Sequence, residues 1–302
     1  MSGQADSLKS ILFALGANSA IAVAKGVAAV ITGSSAMLAE CVHSIADAGN
    51  QLLLILGLRQ SHRGPTDDHP LGFGKSIYFW SFLVAVILFT VGGMFSIYEG
   101  IHKLQHPEAI THPWIAIGVL VFAIVAESIS LWGCMREVNK ERRGRNLLQW
   151  FRNSRSSALI VVFGEDIAAL LGLVFALIAI GISVVTGNPF WDAAGTISIG
   201  VLLIVVAVFI AIEVKDLLIG QSIDPQKLDE VKAFLHGRSE IAEVYNLITM
   251  QFGPDEMVAV KARLYPAGTE QGMMQSVNRI ESDLRAAFPS ITWLFFEPDV
   301  AD

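Results

Sequence analysis

One stretch carries most of the chemistry. Residues 38–51 read Leu-Ala-Glu-Cys-Val-His-Ser-Ile-Ala-Asp-Ala-Gly-Asn-Gln and place Glu40, His43 and Asp47 inside an apolar segment. Ionisable groups are expensive in hydrocarbon, so their presence there points to function. His43 and Asp47 are four residues apart, which makes them neighbours on one helix face. An imidazole beside a carboxylate is half of a divalent transition-metal site. A second acidic pair, Glu165 and Asp166, stands in another apolar segment far along the chain.

The elements that position these groups follow from composition. The chain has 302 residues, 53% hydrophobic and only 16% charged, with a mean hydropathy of +0.55. Soluble domains carry about 25% charged residues, so this is an integral membrane protein of transmembrane helices. A net charge of -7 excludes a nucleic-acid partner, which would require a basic face. Cys41 and Cys134 both fall in apolar segments and read as small core residues, not a disulfide. The first residues lack a basic run before the first apolar segment, so no cleavable signal peptide is expected.

A spanning helix needs roughly 20 apolar residues, and six segments qualify: 8–31, 35–58, 76–101, 113–135, 156–185 and 191–212. The loop after the second carries Arg59, Arg63 and Lys75. The loop after the fourth carries Arg136, Lys140, Arg142, Arg143, Arg145, Arg152 and Arg155. The alternate loops hold only Lys103. The basic loops and both termini therefore face the cytoplasm. The division expected is a six-span membrane domain, 1–213, and a cytoplasmic tail domain, 214–302.

The tail is α+β. Asp224 and Pro225 start a helix over 226–236. Alternation at Val258, Val260, Ala262 and Leu264 marks a strand, 241–251 is its partner, and Gly253, Pro254 and Asp255 form the turn between. Met273, Val277, Ile280, Leu284 and Phe288 form one helical stripe. Residues 291–296 make a last strand.

The run Gly-Ser-Ser-Ala-Met-Leu-Ala-Glu-Cys-Val-His-Ser-Ile-Ala-Asp in the second span, then Asp67 to Lys75 as Asp-Asp-His-Pro-Leu-Gly-Phe-Gly-Lys, resembles the cation diffusion facilitator family. Trp150 to Ser154, followed by Glu165-Asp166-Ile-Ala-Ala-Leu, resembles its zinc-transporter-nine-like branch. The resemblance implies a six-helix membrane bundle with a ferredoxin-like cytoplasmic α+β domain, a homodimer, and export of divalent metal in exchange for protons by alternating access. It also implies a transport site of two ligands from the second span and two from the fifth, each pair four residues apart. His43 and Asp47 match the first pair and Asp166 the last position, but Val162 occupies the remaining one. Glu165 could substitute, or act by orienting a ligand. For both carboxylates to reach one ion the fifth span would be locally distorted, which Gly164 makes cheaper.

Other polar residues have a structural reading. Lys25 neutralises a buried carboxylate, and Glu40 lies three residues before His43, close enough to orient it. Glu127 is read as structural too. The family's cytoplasmic loop site is incomplete, because Phe73 stands at its second histidine position beside Asp67, Asp68 and His69. In the tail, ligand positions fall on Tyr245, Lys261 and Phe296, and His236 is the sole histidine, so no metal is expected there.

These ligands suit zinc, and would accept manganese, iron(II) or cobalt. The ion is cargo, and no resident cofactor is expected. Metal needs deprotonated ligands, so proton entry and metal release are linked. A histidine titrating near ~6.5 suits that exchange. The lipid bilayer, metal and protons are the expected partners, and a bacterial inner membrane the expected host. No enzyme motif is present. The alternatives are an intramembrane metal-dependent hydrolase with Glu165 as base, or a non-transporting metal sensor.

Overall fold

The computed structural model describes residues 18–107 and 110–301. Helix α1 is Asn18–Thr32; the earlier part of the expected first span lies outside the described residues. Five further helices are long and apolar enough to cross a membrane: α2 Ser35–Ser61, α3 Ser76–Gln105, α4 Pro113–Glu141, α6 Ser157–Thr186 and α7 Phe190–Ile219. Between α4 and α6 lies the short α5, Leu147–Asn153. Their starts fall where the apolar segments begin. Their ends run beyond the apolar stretch by up to two turns, because Arg59, Lys140 and Lys215 continue a helix readily once it meets water. Helix α7 stops only at Gly220, whose φ is 133°.

Two compact units form. Among the described residues, the first comprises 18–56, 80–107, 110–144 and 158–214; the second comprises 57–79, 145–157 and 215–301. In the first, Met37, Leu88, Leu120, Ile160, Leu173, Ile180, Ile199 and Leu203 are buried, while Val30, Trp114, Phe122, Ile129 and Val185 face outward. Outward apolar side chains are what lipid demands. Lipid offers helices no hydrophobic reason to associate, so backbone approach through small residues matters more. Helices α3 and α7 meet this way. A Cβ on Gly93 would stand 3.2 Å from the Gly200 oxygen, and one on Gly100 3.0 Å from the Ala193 oxygen. Within α3, Leu88–Met94 widens into a π-helical turn.

The start of α2 is fixed from another helix. Ser34 caps it by accepting from Met37 N at 3.2 Å. Asp192, in the first turn of α7 and fully buried, accepts from Ser34 Oγ at 2.7 Å and from Ser35 N and Oγ at 2.9 Å. An external carboxylate thus satisfies a donor that every helix start leaves open.

In the second unit, α8 (Pro225–His236) is capped by Asp224, which accepts from Gln226 N at 2.9 Å. Strands β1 (Ile241–Phe252) and β2 (Asp255–Leu264) are antiparallel, and β3 (Ile291–Pro298) pairs parallel to β2 after α9 (Glu270–Ala287). Sheet and helices bury Val231, Leu235, Val258, Val260, Ile280 and Leu284. This is the α+β tail expected from alternation and stripe. The short α5 was not anticipated. Its signal is the capping box of Asn146 and Gln149, both of whose bonds form.

The loop and tail residues noted above make other contacts. His69 stacks on Phe73 at 4.3 Å. Tyr245 donates to the Val300 oxygen at 2.9 Å. Lys261 pairs with Asp299 at 3.1 Å, and Phe296 packs on the tail core.

The turn between β1 and β2 is backbone-tight. Gly253 has φ 63°, and a Cβ on Gly74 would sit 2.3 Å from the Phe252 oxygen. Tyr78 Oη accepts from Gly253 N at 2.8 Å. Gly74→Ala should therefore lower the thermal midpoint of the full chain, with a cost of about 1–3 kcal/mol typical of forced backbone strain. Gly64→Ala, where a Cβ meets nothing within 4 Å, should leave it unchanged by differential scanning calorimetry.

Candidate metal centre

Helix α2 presents Glu40, His43, Asp47 and Asn50 at spacings of three, four and three, which is a single face. Glu40, His43 and Asn50 are fully buried. His43 Nε2 stands 3.5 Å from Asp47 Oδ2, an ion-pair distance too long for a good hydrogen bond. Both His43 ring nitrogens, Asp47 Oδ1 and Asn50 Oδ1 lie buried without a hydrogen-bond partner. Buried polar atoms are ordinarily satisfied. A row of unpartnered polar atoms on one buried face fits a cation as guest.

The two adjacent acids of α6 part company. Asn50 Nδ2 donates to Glu165 Oε1 at 2.6 Å, tying α6 to α2. Asp166, about 100° further round, accepts instead from Ser130 of α4 at 3.3 and 3.4 Å. Helix α6 runs as one α-helix through both, so the local distortion that would bring them together is not formed. Gly164 has a packing role, since a Cβ there would meet Ile210 Cδ1 at 2.7 Å. The structure joins His43 with Asp47, and Glu165 with Asn50. Among the described residues no three His, Cys, Asp or Glu side chains are grouped closely enough to hold an ion.

Glu40 does not orient His43. Its Oε2 accepts from Lys25 Nζ of α1 at 3.1 Å, and the same ammonium donates to Ser44 Oγ at 2.7 Å. Lys25 thus neutralises Glu40 in particular. Glu40 Oε1 lies against α6, where a Cβ on Gly172 would come within 2.7 Å of it. Cys41 turns to α1, its Sγ 3.5 Å from the Ala22 oxygen, and so stays off the polar face. Glu127 of α4, 8% exposed, lies within electrostatic reach of Asp47, Glu165 and Asp166. Sequence reasoning assigned no role to Asn50 or Ser130. Asn50 was detectable three residues after Asp47 on the same face; Ser130 had no comparable signal.

Residues 11–219 match the model of the cation efflux transmembrane domain. The chain is 35% identical over 226 residues to the Xenopus laevis protein named proton-coupled zinc antiporter SLC30A9, mitochondrial, covering 74% of this chain and 40% of that one. It is 31% identical to the Homo sapiens protein of the same name, over 76% of this chain and 41% of that one. An Arabidopsis thaliana relative, metal tolerance protein C4, is 32% identical over 74% of this chain and 49% of its own length. The chain thus spans less than half the length of these relatives. Two of the names specify mitochondria, and none supports the expected bacterial inner membrane.

If Glu165 faces the ion path, Glu165→Gln should weaken zinc binding by roughly 10–100-fold, while Ser130→Ala should leave it near the parent value. Isothermal titration of the detergent-solubilised chain reads both, and equal losses would contradict the division between the two acids.

Proposed function

Because the chain belongs to the cation efflux family, we propose that it is a divalent metal exporter, with zinc as cargo, working as a metal/proton antiporter by alternating access. The observation that carries this reading is the row of unpartnered buried atoms of His43 and Asp47, facing the α6 carboxylate through Asn50. His43 and Asp47 bind the ion, and Glu165 and Asp166 supply the fifth-span carboxylates. Glu165 is the nearer to α2, and Asp166 joins when its weak bond to Ser130 is exchanged. The donor set of imidazole and carboxylates suits zinc and tolerates manganese, iron(II) and cobalt.

The chemistry requires no bond making. Each ligand holds either a proton or the ion. Protons arriving from one side release the metal there, and the emptied, protonated site returns. The Asp192 anchor holds one end of α2, and the ion pair of Lys25 with Glu40 holds α1 against it, so the polar face moves with the helix that bears it. The chain is an integral membrane protein, with both termini on the cytoplasmic side by the loop-charge rule. Its membrane domain is 1–213 and its tail 214–302, and it works as a homodimer.

Reconstituted in sealed vesicles, the parent should move zinc inward or outward against a counterflow of protons, read with zinc- and pH-sensitive dyes. Asp47→Ala should abolish both fluxes in a chain that remains folded. Normal flux from that variant sinks the site, and absence of flux from the parent favours a sensor or hydrolase. Zinc affinity should also fall as pH drops from about 7.5 to 5.5, because protons compete for the imidazole and carboxylates; an affinity that holds constant would remove the coupling.

A further inference from the structure

We infer that His102 and His106, at the C-terminal end of α3, form a second, surface metal site for a late first-row divalent cation such as zinc, separate from the buried polar face of α2. The two residues are four apart, and their rings lie side by side with centroids 4.8 Å apart at 31°. Zinc–nitrogen bonds of about 2.0–2.1 Å require the two donor atoms to lie within roughly 4 Å of each other, and neighbouring exposed rings reach that by side-chain rotation alone. Both residues are exposed, so a cation reaches them without unfolding anything.

The geometry also selects a tautomer of the neutral His106 ring. His106 Nδ1 lies 3.3 Å from the His102 carbonyl oxygen, and the His106 backbone N–H donates to that same oxygen. A carbonyl only accepts, so Nδ1 carries the proton and the Nε2 lone pair is left for a metal. This is the arrangement that orients ligating histidines. Tyr98, one turn earlier, stacks on His102 at 6.3 Å. The end of a helix carries partial negative charge, which favours a cation. Lys103 lies between the two histidines in sequence, but its ammonium is turned away and donates to the Gly33 oxygen at 2.9 Å.

The placement gives the site its use, and this part rests on the transport reading above. Lys103 bonds Gly33 in the turn between α1 and α2, and Thr111 bonds Ile31 at the end of α1, so residues 102–106 share the end of the membrane unit at which α1 gives way to α2. On the loop-charge orientation that is the side where cargo leaves. A two-imidazole site there takes an ion after release, weakly enough to pass it on, with water in the remaining coordination positions.

Equilibrium dialysis of zinc against the full chain in detergent micelles tests this. The parent should show two classes of binding. His102→Gln with His106→Gln should lose the weaker class and keep the other, whereas Asp47→Ala should keep the weaker class. A register control, Leu104→His with His106→Gln, preserves the number of histidines but puts them two apart on different faces; it should lose the weaker class too. A zinc isotherm in the His102, His106 double variant that superposes on the parent overturns the site, as does full retention in the register control. If only the Asp47 arm is unchanged, the transport site fails and the surface site stands.

Discussion

Lys25 and Glu40 meet at 3.1 Å with neither side chain exposed, and much of the membrane unit depends on that pair. A charge buried alone in an apolar bundle would cost several kcal/mol. Paired, the two groups lock α1 against α2, and Ser44 takes up another ammonium proton. Removing one partner of such a pair typically costs about 3–5 kcal/mol, because the other charge is left stranded. The pair also sets Glu40 apart from the other buried acids. Glu40 is held by Lys25 through Oε2, with Oε1 left unpartnered, while Asp47 meets His43 and Glu165 meets Asn50. The same helix therefore carries a fixed ion pair and, one turn further, an exchangeable face.

Packing around that pair explains the small residues of α6. Glu40 Oε1 reaches the α6 backbone at Gly172, where any side chain would displace it. Gly164, two turns earlier, admits Ile210 of α7. Helix α6 is thus pressed between α2 and α7 with little clearance, and Glu165 and Asp166 have no room to be redirected by unwinding the helix. The choice between them falls to side-chain partners, Asn50 for one and Ser130 for the other.

The spans were legible because hydrocarbon imposes a length and a polarity on every helix that crosses it, and the tail because alternation and stripe differ in period. The face of α2 was legible because His43 and Asp47 are out of place in lipid. The roles of Glu40 and Glu165 were not. Spacing along one helix says which residues share a face, but not which neighbouring helix stands opposite it. Lys25 on α1 and Gly172 on α6 decided the first, and Asn50 decided the second. The π-helical turn in α3 likewise has no sequence period of its own, although Gly92 and Gly93 lie within it.

The Asp192 anchor at Ser34 and Ser35 turns α2 into a lever with its fulcrum at one end. Counting 1.5 Å per residue, His43 sits about 12 Å and Asp47 about 18 Å from that fulcrum. A tilt of about 10° would then carry His43 by roughly 2 Å and Asp47 by roughly 3 Å on this rise. The two donors would sweep unequal arcs, so rocking the helix changes the spacing between each donor and the α6 carboxylates by different amounts. On the transport reading proposed above, grip and release follow from one rigid rotation, with no change in the internal shape of α2.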